Sequence, residues 1–254
     1  MGKKIALITT VFLVSLAFFL SHAQETEPKD SKLHFGLYFS PDNCFRKLTS
    51  DSSESNRMMK KWRDVHEKPR IGYSAGLSML INLNERIDME SAVLFSEKGE
   101  KINSMVLYLG ENSDPRLDGL YDTFQLSAVG FDYKYHYVEV PVKINYTFID
   151  DVLKIFVSIG FSTGFFLNHK VTAYQYFSAD RVDKTTSKNT YYDFNPLNFS
   201  VLLGMGLYYK INKVLSLKIE PVYKMAINSM FDSPIKSYPY SYGLGMGLYY
   251  SFNN

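Results

Sequence analysis

The final segment of the chain alternates strictly between large apolar side chains and small ones. Even-numbered positions from Tyr240 to Phe252 are aromatic or aliphatic, and the odd-numbered positions between them are mostly glycine and serine. Successive side chains of a β-strand point to opposite faces. A membrane barrel turns the large face to lipid and the small face into a narrow lumen. A soluble sandwich turns its polar face to water instead.

The N-terminus has the three parts of a secretory signal peptide. Lys3 and Lys4 precede an apolar segment over 5–20, and Ser21-His22-Ala23 forms a small-residue cleavage site. A retained anchor is the alternative, but this apolar segment is shorter than the roughly 20 residues that a spanning helix needs. We predict a signal peptide over 1–23, a flexible periplasmic leader over 24–32 and one barrel domain over 33–254.

Charge and motif content exclude several classes of protein. Removing residues 1–23 leaves 26 basic and 26 acidic side chains, so no global charge favours nucleic acid as a partner. Cys44 is the only cysteine, and we expect it in a loop without a structural role. The histidines have no metal-ligand spacing, and the Gly-x-Gly runs lack the Lys-Ser/Thr of a phosphate loop. We therefore predict no metal site and no cofactor.

Eight segments of the mature chain share the alternation, and most are long enough for a tilted transmembrane strand. They are 33–40, 71–83, 87–96, 135–148, 153–167, 199–210, 215–227 and 240–252. Tight turns and long links alternate between them, as in outer-membrane barrels with short periplasmic turns and long extracellular loops. Pro141 and Pro221 lie inside two of the segments, where we expect a bulge or a local break.

The charged residues of these segments fall on the small face, together with ten of the fifteen glycines. Both signs are present, so they can pair inside a lumen, whereas a Lys at the lipid midplane would cost about 2–4 kcal/mol. We predict an all-β fold: an eight-stranded antiparallel up-and-down transmembrane β-barrel with a packed lumen. A soluble lipocalin-like barrel is the alternative, but its interior could not hold so many large apolar residues. The predicted lumen charge network consists of Glu90, Glu139, Lys143, Lys154, Lys218, Glu220 and Lys224.

Three segments resemble the outer-membrane β-barrel family of the Bacteroidetes, the PorT-like group: 137–146, 204–209 and 242–252. Glu139-x-Pro141 resembles the glutamate-x-proline strand of that family. Tyr250 and Phe252 resemble the aromatic insertion signal read by the barrel-insertion machinery, although two asparagines follow. The resemblance covers nearly the whole mature chain and implies a porin-family barrel of the outer membrane. The name-giving member is tied to type IX secretion, a role that the motifs do not carry over.

The links between segments offer candidate contact residues. The stretch Met58 to Glu67 holds the only tryptophan beside a basic run, and it could form a short helix or lid that contacts a partner or lipopolysaccharide phosphates. The contact residues are Lys60, Lys61, Trp62 and Arg63. A solvated loop is the alternative.

We expect a protein without catalysis that acts in the bacterial outer membrane through its extracellular loops. Its expected partners are outer-membrane lipid, the barrel-insertion machinery, and an envelope protein or an extracellular ligand. A small porin-like transporter, a secretion-machinery accessory and a lipid enzyme at the outer rim are the alternatives. The last would use polar loop residues, but no nucleophile signature joins them: Asp64, His66, His169, Ser178 and Asp180.

Overall fold

The computed structural model describes residues 33–106, 126–149, 153–177, 181–188, 194–212 and 214–251. The predicted signal peptide and leader lie outside the described residues. So do Phe252 of the insertion signal and the candidate catalytic residues Ser178 and Asp180.

The described part of the chain forms nine strands and one helix. In order they are β1 (Leu33–Ser50), α1 (Glu54–His66), β2 (Glu67–Asn82), β3 (Ile87–Val106), β4 (Leu126–Ile149), β5 (Leu153–Phe177), β6 (Val182–Lys188), β7 (Leu197–Lys210), β8 (Leu215–Ala226) and β9 (Ile235–Ser251). Among the described helices, none has the length and apolar character to cross a membrane.

Eight of the strands close into an antiparallel ring. The order is β1, β2, β3, β4, β5, β7, β8, β9, and β9 pairs back to β1. The register around the closure places Leu37 opposite both Leu77 and Leu248. The predicted all-β, eight-stranded barrel is confirmed. The short strand β6, which the sequence did not predict, adds to the far half of β5 from Lys170 to Tyr176.

The outer face of the ring is a continuous apolar belt. Leu37, Leu77 and Phe161 are 64%, 67% and 64% exposed, whereas the alternate positions beside them face the lumen. Among the described residues of this belt, no outward position carries Lys, Arg, Asp or Glu. Large apolar side chains on the outside of a barrel leave contact with water only if an apolar phase surrounds the barrel. The large residues of this barrel therefore face lipid.

Several strands run beyond their predicted ends on the loop side. β1 ends at Ser50 instead of Ser40, β3 at Val106 instead of Ser96, and β5 at Phe177 instead of Leu167. Much of the link 41–70 is strand or helix α1. The hydrophobic alternation fades in these extensions because they stand beyond the lipid, where both faces of a strand can be polar.

Cys44 was predicted in a loop without a structural role, and this prediction is wrong. It lies in the extension of β1, its side chain is buried, and its Sγ–H donates to the carbonyl of Asp42 at 3.5 Å. The extension continues the parity of Ser40 and Asp42, so the thiol faces the lumen.

Three prolines interrupt the ladder without shifting its register. Pairing between β3 and β4 stops after Ser91↔Val142 and resumes at Leu94↔Glu139, around Pro141. The β7–β8 ladder has the same gap around Pro221, and the β1–β9 ladder around Pro41. The expected local break is therefore present at Pro141 and Pro221, but no bulge accompanies it. Side chains consequently keep the same parity on both sides of each break.

Two inward-facing glycines of β5 provide a matched test of how closely neighbouring strands pack inside the barrel. A Cβ at Gly160 would collide with the carbonyl oxygen of Val142 and lie 2.8 Å from Lys143 Cα, whereas a Cβ at Gly164 would meet nothing closer than 3.4 Å. We expect Gly160→Ala to lower the free energy of unfolding by about 1–3 kcal/mol because rigid backbone must move. Gly164→Ala is the control and should cost clearly less. Denaturant unfolding in lipid vesicles measures both, and equal losses would contradict the close packing at Gly160.

Candidate functional site

The lumen contains three layers of charged side chains, named here from the turn side to the loop side. The turn-side tier consists of Glu90, Lys143, Lys218 and Glu220. Lys143 Nζ lies 2.6 Å from Glu220 and 3.1 Å from Glu90. Lys218 contacts Glu90 closely and lies 3.1 Å from Glu220. Each cation therefore touches both anions, and the tier is neutral.

The middle tier repeats this balance with Asp42, Lys98, Glu139 and Lys224. Lys224 lies 3.5 Å from both Asp42 and Glu139, and Lys98 is in close contact with Glu139. Serine hydroxyls satisfy further lone pairs: Ser74 donates to Asp42 at 2.7 Å, and Ser96 donates to Glu139 at 2.9 Å. Because buried ions are tolerated only when paired and hydrogen-bonded, this tier is a self-contained polar layer.

The loop-side tier consists of Arg46, Glu67 and Glu100. The Arg46 guanidinium contacts Glu67 at 2.6 Å and Glu100 at 2.9 Å. Tyr135 donates its hydroxyl hydrogen to Glu100 at 2.6 Å. Arg63 of α1 adds a second cation, 2.7 Å from Glu67. This contact ties the helix to the lumen network.

An aromatic layer lies in the loop-side half of the lumen, at the height of Tyr135 and Tyr137. Phe194, which precedes β7, stacks on Phe166 with ring centres 4.4 Å apart, and it forms an isolated bridge with Phe231. Met230 and Phe231 come from the β8–β9 link and are buried against Tyr137. Two links thus fold inward and pack apolar side chains against Tyr135 and Tyr137, beside the charged tiers.

Little open space remains between the turn-side and middle tiers. The cavity there has a volume of about 10 Å³ and is lined by residues including Tyr38, Glu90 and Lys224. That is the space for the centre of about one water molecule. The lumen at this level is filled by side chains.

The structure brings together six of the seven predicted lumen charges. Lys154 also faces inward, and it is half-buried opposite Tyr208. It lies four residues closer to the β4–β5 turn than Ser158, which donates to Glu220 of the turn-side tier. Lys154 is therefore outside the tiers. Sequence reasoning missed five members: Asp42, Arg46, Glu67, Lys98 and Glu100. Most of them continue the parity of the predicted strands, so extending the alternation past Ser40 and Ser96 would have found them.

The predicted contact residues lie on α1, which bears out the helical alternative for this stretch. Lys60 pairs with Asp64 at 2.6 Å, and Arg63 is engaged by Glu67. Trp62 stacks on His66 with ring centres 4.6 Å apart. Lys61 is exposed. A ligand-binding role for Lys60, Lys61, Trp62 and Arg63 stays a prediction.

Each candidate catalytic residue that the structure describes is engaged by another group. Asp64 is paired with Lys60, and the imidazole of His66 bonds through Nδ1 to the carbonyl of Trp62 at 2.7 Å. His169 is buried against Phe194. Within the described ranges, no group of three or more His, Cys, Asp or Glu side chains is arranged to hold a metal ion.

A closed ring with an apolar exterior and a polar, charged lumen is the architecture of transmembrane β-barrels. The family described as the outer membrane protein beta-barrel domain matches residues 22–232, and the chain belongs to this family. It is a protein of the bacterial outer membrane. No curated protein matches the chain.

Three solved structures of outer-membrane barrels are similar in fold. Neisserial surface protein A is 13% identical with a TM-score of 0.39, covering 89% of this chain and 100% of its own. Ail, the attachment invasion locus protein of Yersinia pestis, is 12% identical with a TM-score of 0.37, covering 87% and 99%. The outer membrane protease OmpT from Escherichia coli is 8% identical with a TM-score of 0.43, covering 90% and 99%. Likeness at this level carries no argument about function.

Glu220 tests the energetic role of the turn-side tier. Glu220→Gln leaves Lys143 and Lys218 with one anion between them, so we expect a loss of about 3–5 kcal/mol in the free energy of unfolding. Lys143→Gln/Glu220→Gln keeps the tier neutral and should lose less than the sum of the two single changes. Denaturant unfolding completes this double-mutant cycle. Lys60→Gln, at an exposed pair on α1, is the control and should change stability by less than about 1 kcal/mol. Additive losses within the cycle would show that the two side chains are not coupled.

Proposed function

We propose that this protein is a non-catalytic outer-membrane barrel with a closed lumen, which binds its partners through its loop-side end and its outer wall. The observation that carries the proposal is the filling of the lumen by three charged tiers and an aromatic layer. The binding partner would be an extracellular ligand or another envelope protein.

The contacts inside the lumen support closure over transport. Each cation of the turn-side tier touches two carboxylates, so an ion passing through would have to separate buried pairs that have little alternative solvation. If the β8–β9 link moved away from Phe194, the aromatic layer would open. The charged tiers would still fill the barrel. A small porin-like transporter therefore has less support than a binding barrel.

The other contacts of the candidate catalytic groups support a role without chemistry. General acid–base or nucleophilic catalysis needs a nucleophile and a base within hydrogen-bond reach of each other. Asp64 and His66 bond to neighbours on their own helix, and His169 packs against Phe194.

Conductance tests the closed lumen. We expect the purified wild-type protein to give no steady open-channel current in a planar bilayer, because the tiers block the barrel axis. Lys143→Ala/Glu220→Ala removes one cation and one anion, and it should conduct more than the wild type since it thins the turn-side tier without charging it. Steady single-channel current from the wild type would overturn the proposal.

We also propose that the chain is a PorT-like member of the family from the Bacteroidetes. The Glu139-x-Pro141 element supports this assignment, because Glu139 holds two lysines of the middle tier and Pro141 marks a ladder break. Because the name-giving member of that group is tied to type IX secretion, a role as an accessory of a secretion machine is a second candidate function.

Affinity purification from native outer membranes tests the accessory role. If the barrel serves a secretion machine, stoichiometric envelope proteins should co-purify with the wild type, and washing at high salt should weaken contacts made by exposed charges. The charge-neutral variant Lys143→Gln/Glu220→Gln, altered only inside the lumen, should recover the same partners. Recovery of the barrel alone under mild detergent would argue against an accessory role.

A further inference from the structure

Three lysines form one row on the loop-side extension of the sheet. Lys134 of β4 is paired directly with Lys170 of β5, and Lys170 is paired directly with Lys188 of β6. Residues opposite each other in adjacent strands place their Cβ atoms about 4.5–5.5 Å apart on the same face, and like charges there repel. Three adjacent ammonium groups are best stabilised by an anion that lies against all of them.

The row belongs to the outer wall of the barrel. His136 shares the parity of Lys134 in β4, and its ring stacks on the lipid-facing Phe95 with centres 5.6 Å apart. Thr172 and Thr186, two positions from the other lysines, bring their hydroxyl oxygens to 3.3 Å on this same face. The three ammonium groups therefore point away from the lumen.

Acidic side chains near the row are already engaged by an arginine. Arg70 bonds to Glu97 at 2.6 Å and to Asp132 at 2.7 Å, while Lys134 Nζ is 3.9 Å from each. Lys170 and Lys188 form no ion pair with any residue that the structure describes. Asp183 of β6 faces the opposite side and binds Arg181. Among the residues that the structure describes, cations therefore outnumber carboxylates on this part of the wall.

The depth of the row matches the polar boundary of the membrane. Val138↔Phe165 is the last apolar pair of β4 and β5 on the lipid face, and Lys134 follows four residues beyond it. At about 3.3 Å per residue and a tilt of about 35–45°, the row stands roughly 10 Å beyond that pair. This is the level of lipid head groups, and lysine side chains adjust their height by several ångströms.

An open groove of about 440 Å³ adjoins the row on its loop side. It is lined by Tyr174, Tyr176, Lys101 and Asp132, among others, and Lys184 lies over the ring of Tyr174 at 5.3 Å. Tyrosine rings with polar tips suit the flat, hydroxyl-rich surface of a sugar. The groove has the size and lining for a sugar head group that carries a phosphate.

We propose that Lys134, Lys170 and Lys188 bind the phosphate of an outer-leaflet glycolipid of the lipid A type, whose sugar occupies the neighbouring groove. The three lysines form charge-assisted hydrogen bonds to phosphate oxygens and lose their mutual repulsion. This site lies on the outer wall and does not depend on the closed lumen. It also differs from α1, where Lys60 and Arg63 are held by protein carboxylates.

Binding of purified lipids to the detergent-solubilised protein tests this site. The probes are diphosphoryl lipid A, dephosphorylated lipid A and inorganic phosphate, with bound lipid counted by native mass spectrometry. We expect K134Q/K170Q/K188Q to bind diphosphoryl lipid A about 10- to 100-fold more weakly than the wild type. K47Q/K210Q/K236Q removes the same charge from exposed positions on β1, β7 and β9, and it should bind like the wild type.

Further arms separate lipid phosphate from free phosphate and from a folding defect. Dephosphorylated lipid A should bind equally weakly to wild type and K134Q/K170Q/K188Q. K134R/K170R/K188R should restore binding, and circular dichroism confirms that each variant is folded. Wild-type affinity in the folded Gln variant would overturn the site. Equal competition by inorganic phosphate at the concentration of lipid A would overturn the assignment to a lipid.

Discussion

Closure of the sheet between β1 and β9 is the constraint on which the rest of the structure depends. In a bilayer, an open sheet edge would leave backbone N–H and C=O groups without partners, and each such group costs several kcal/mol. The closed ring pairs these groups across neighbouring strands, apart from short breaks in the ladders at three prolines. Because Pro41, Pro141 and Pro221 break ladders without shifting them, every strand keeps its apolar side outward.

The same closure makes a charged lumen possible. Lys218 and Glu90 lie 128 residues apart in sequence and meet only because β3 and β8 face each other across the ring. The turn-side tier and the middle tier each carry two cations and two anions, so neither leaves a net charge in a region of low dielectric constant. Hydroxyl groups of Ser74, Ser96 and Ser158 complete the hydrogen bonding that makes such burial tolerable.

Height above the lipid divides the molecule into two chemical environments. Within the belt, outward positions are apolar and inward positions are small or charged. Beyond it, the extensions of β3, β4 and β5 carry polar groups on both faces: Glu100 and Tyr135 inside, Lys134 and Lys170 outside. Helix α1 and strand β6 are both added to the barrel at this loop-side end.

The alternation of side chains was readable in the sequence because strand geometry is local, and it predicted the eight strands, their lipid-facing residues and six lumen charges. It did not reveal how far strands continue beyond the lipid, since hydrophobicity no longer differs between faces there, and Cys44, Arg46 and Lys98 were therefore missed. For the stretch that forms α1, the sequence left a helix and a solvated loop as alternatives. Strand β6 shows no hydrophobic alternation, because the residues on its outer and inner faces are both polar.

The sequence by itself thus determined which face of each strand meets lipid, because that choice depends only on residues two positions apart. The tertiary structure alone decided which cation meets which anion and which lysines stand side by side. Those contacts depend on the register between strands that are distant in the chain, and only the closed ring sets that register.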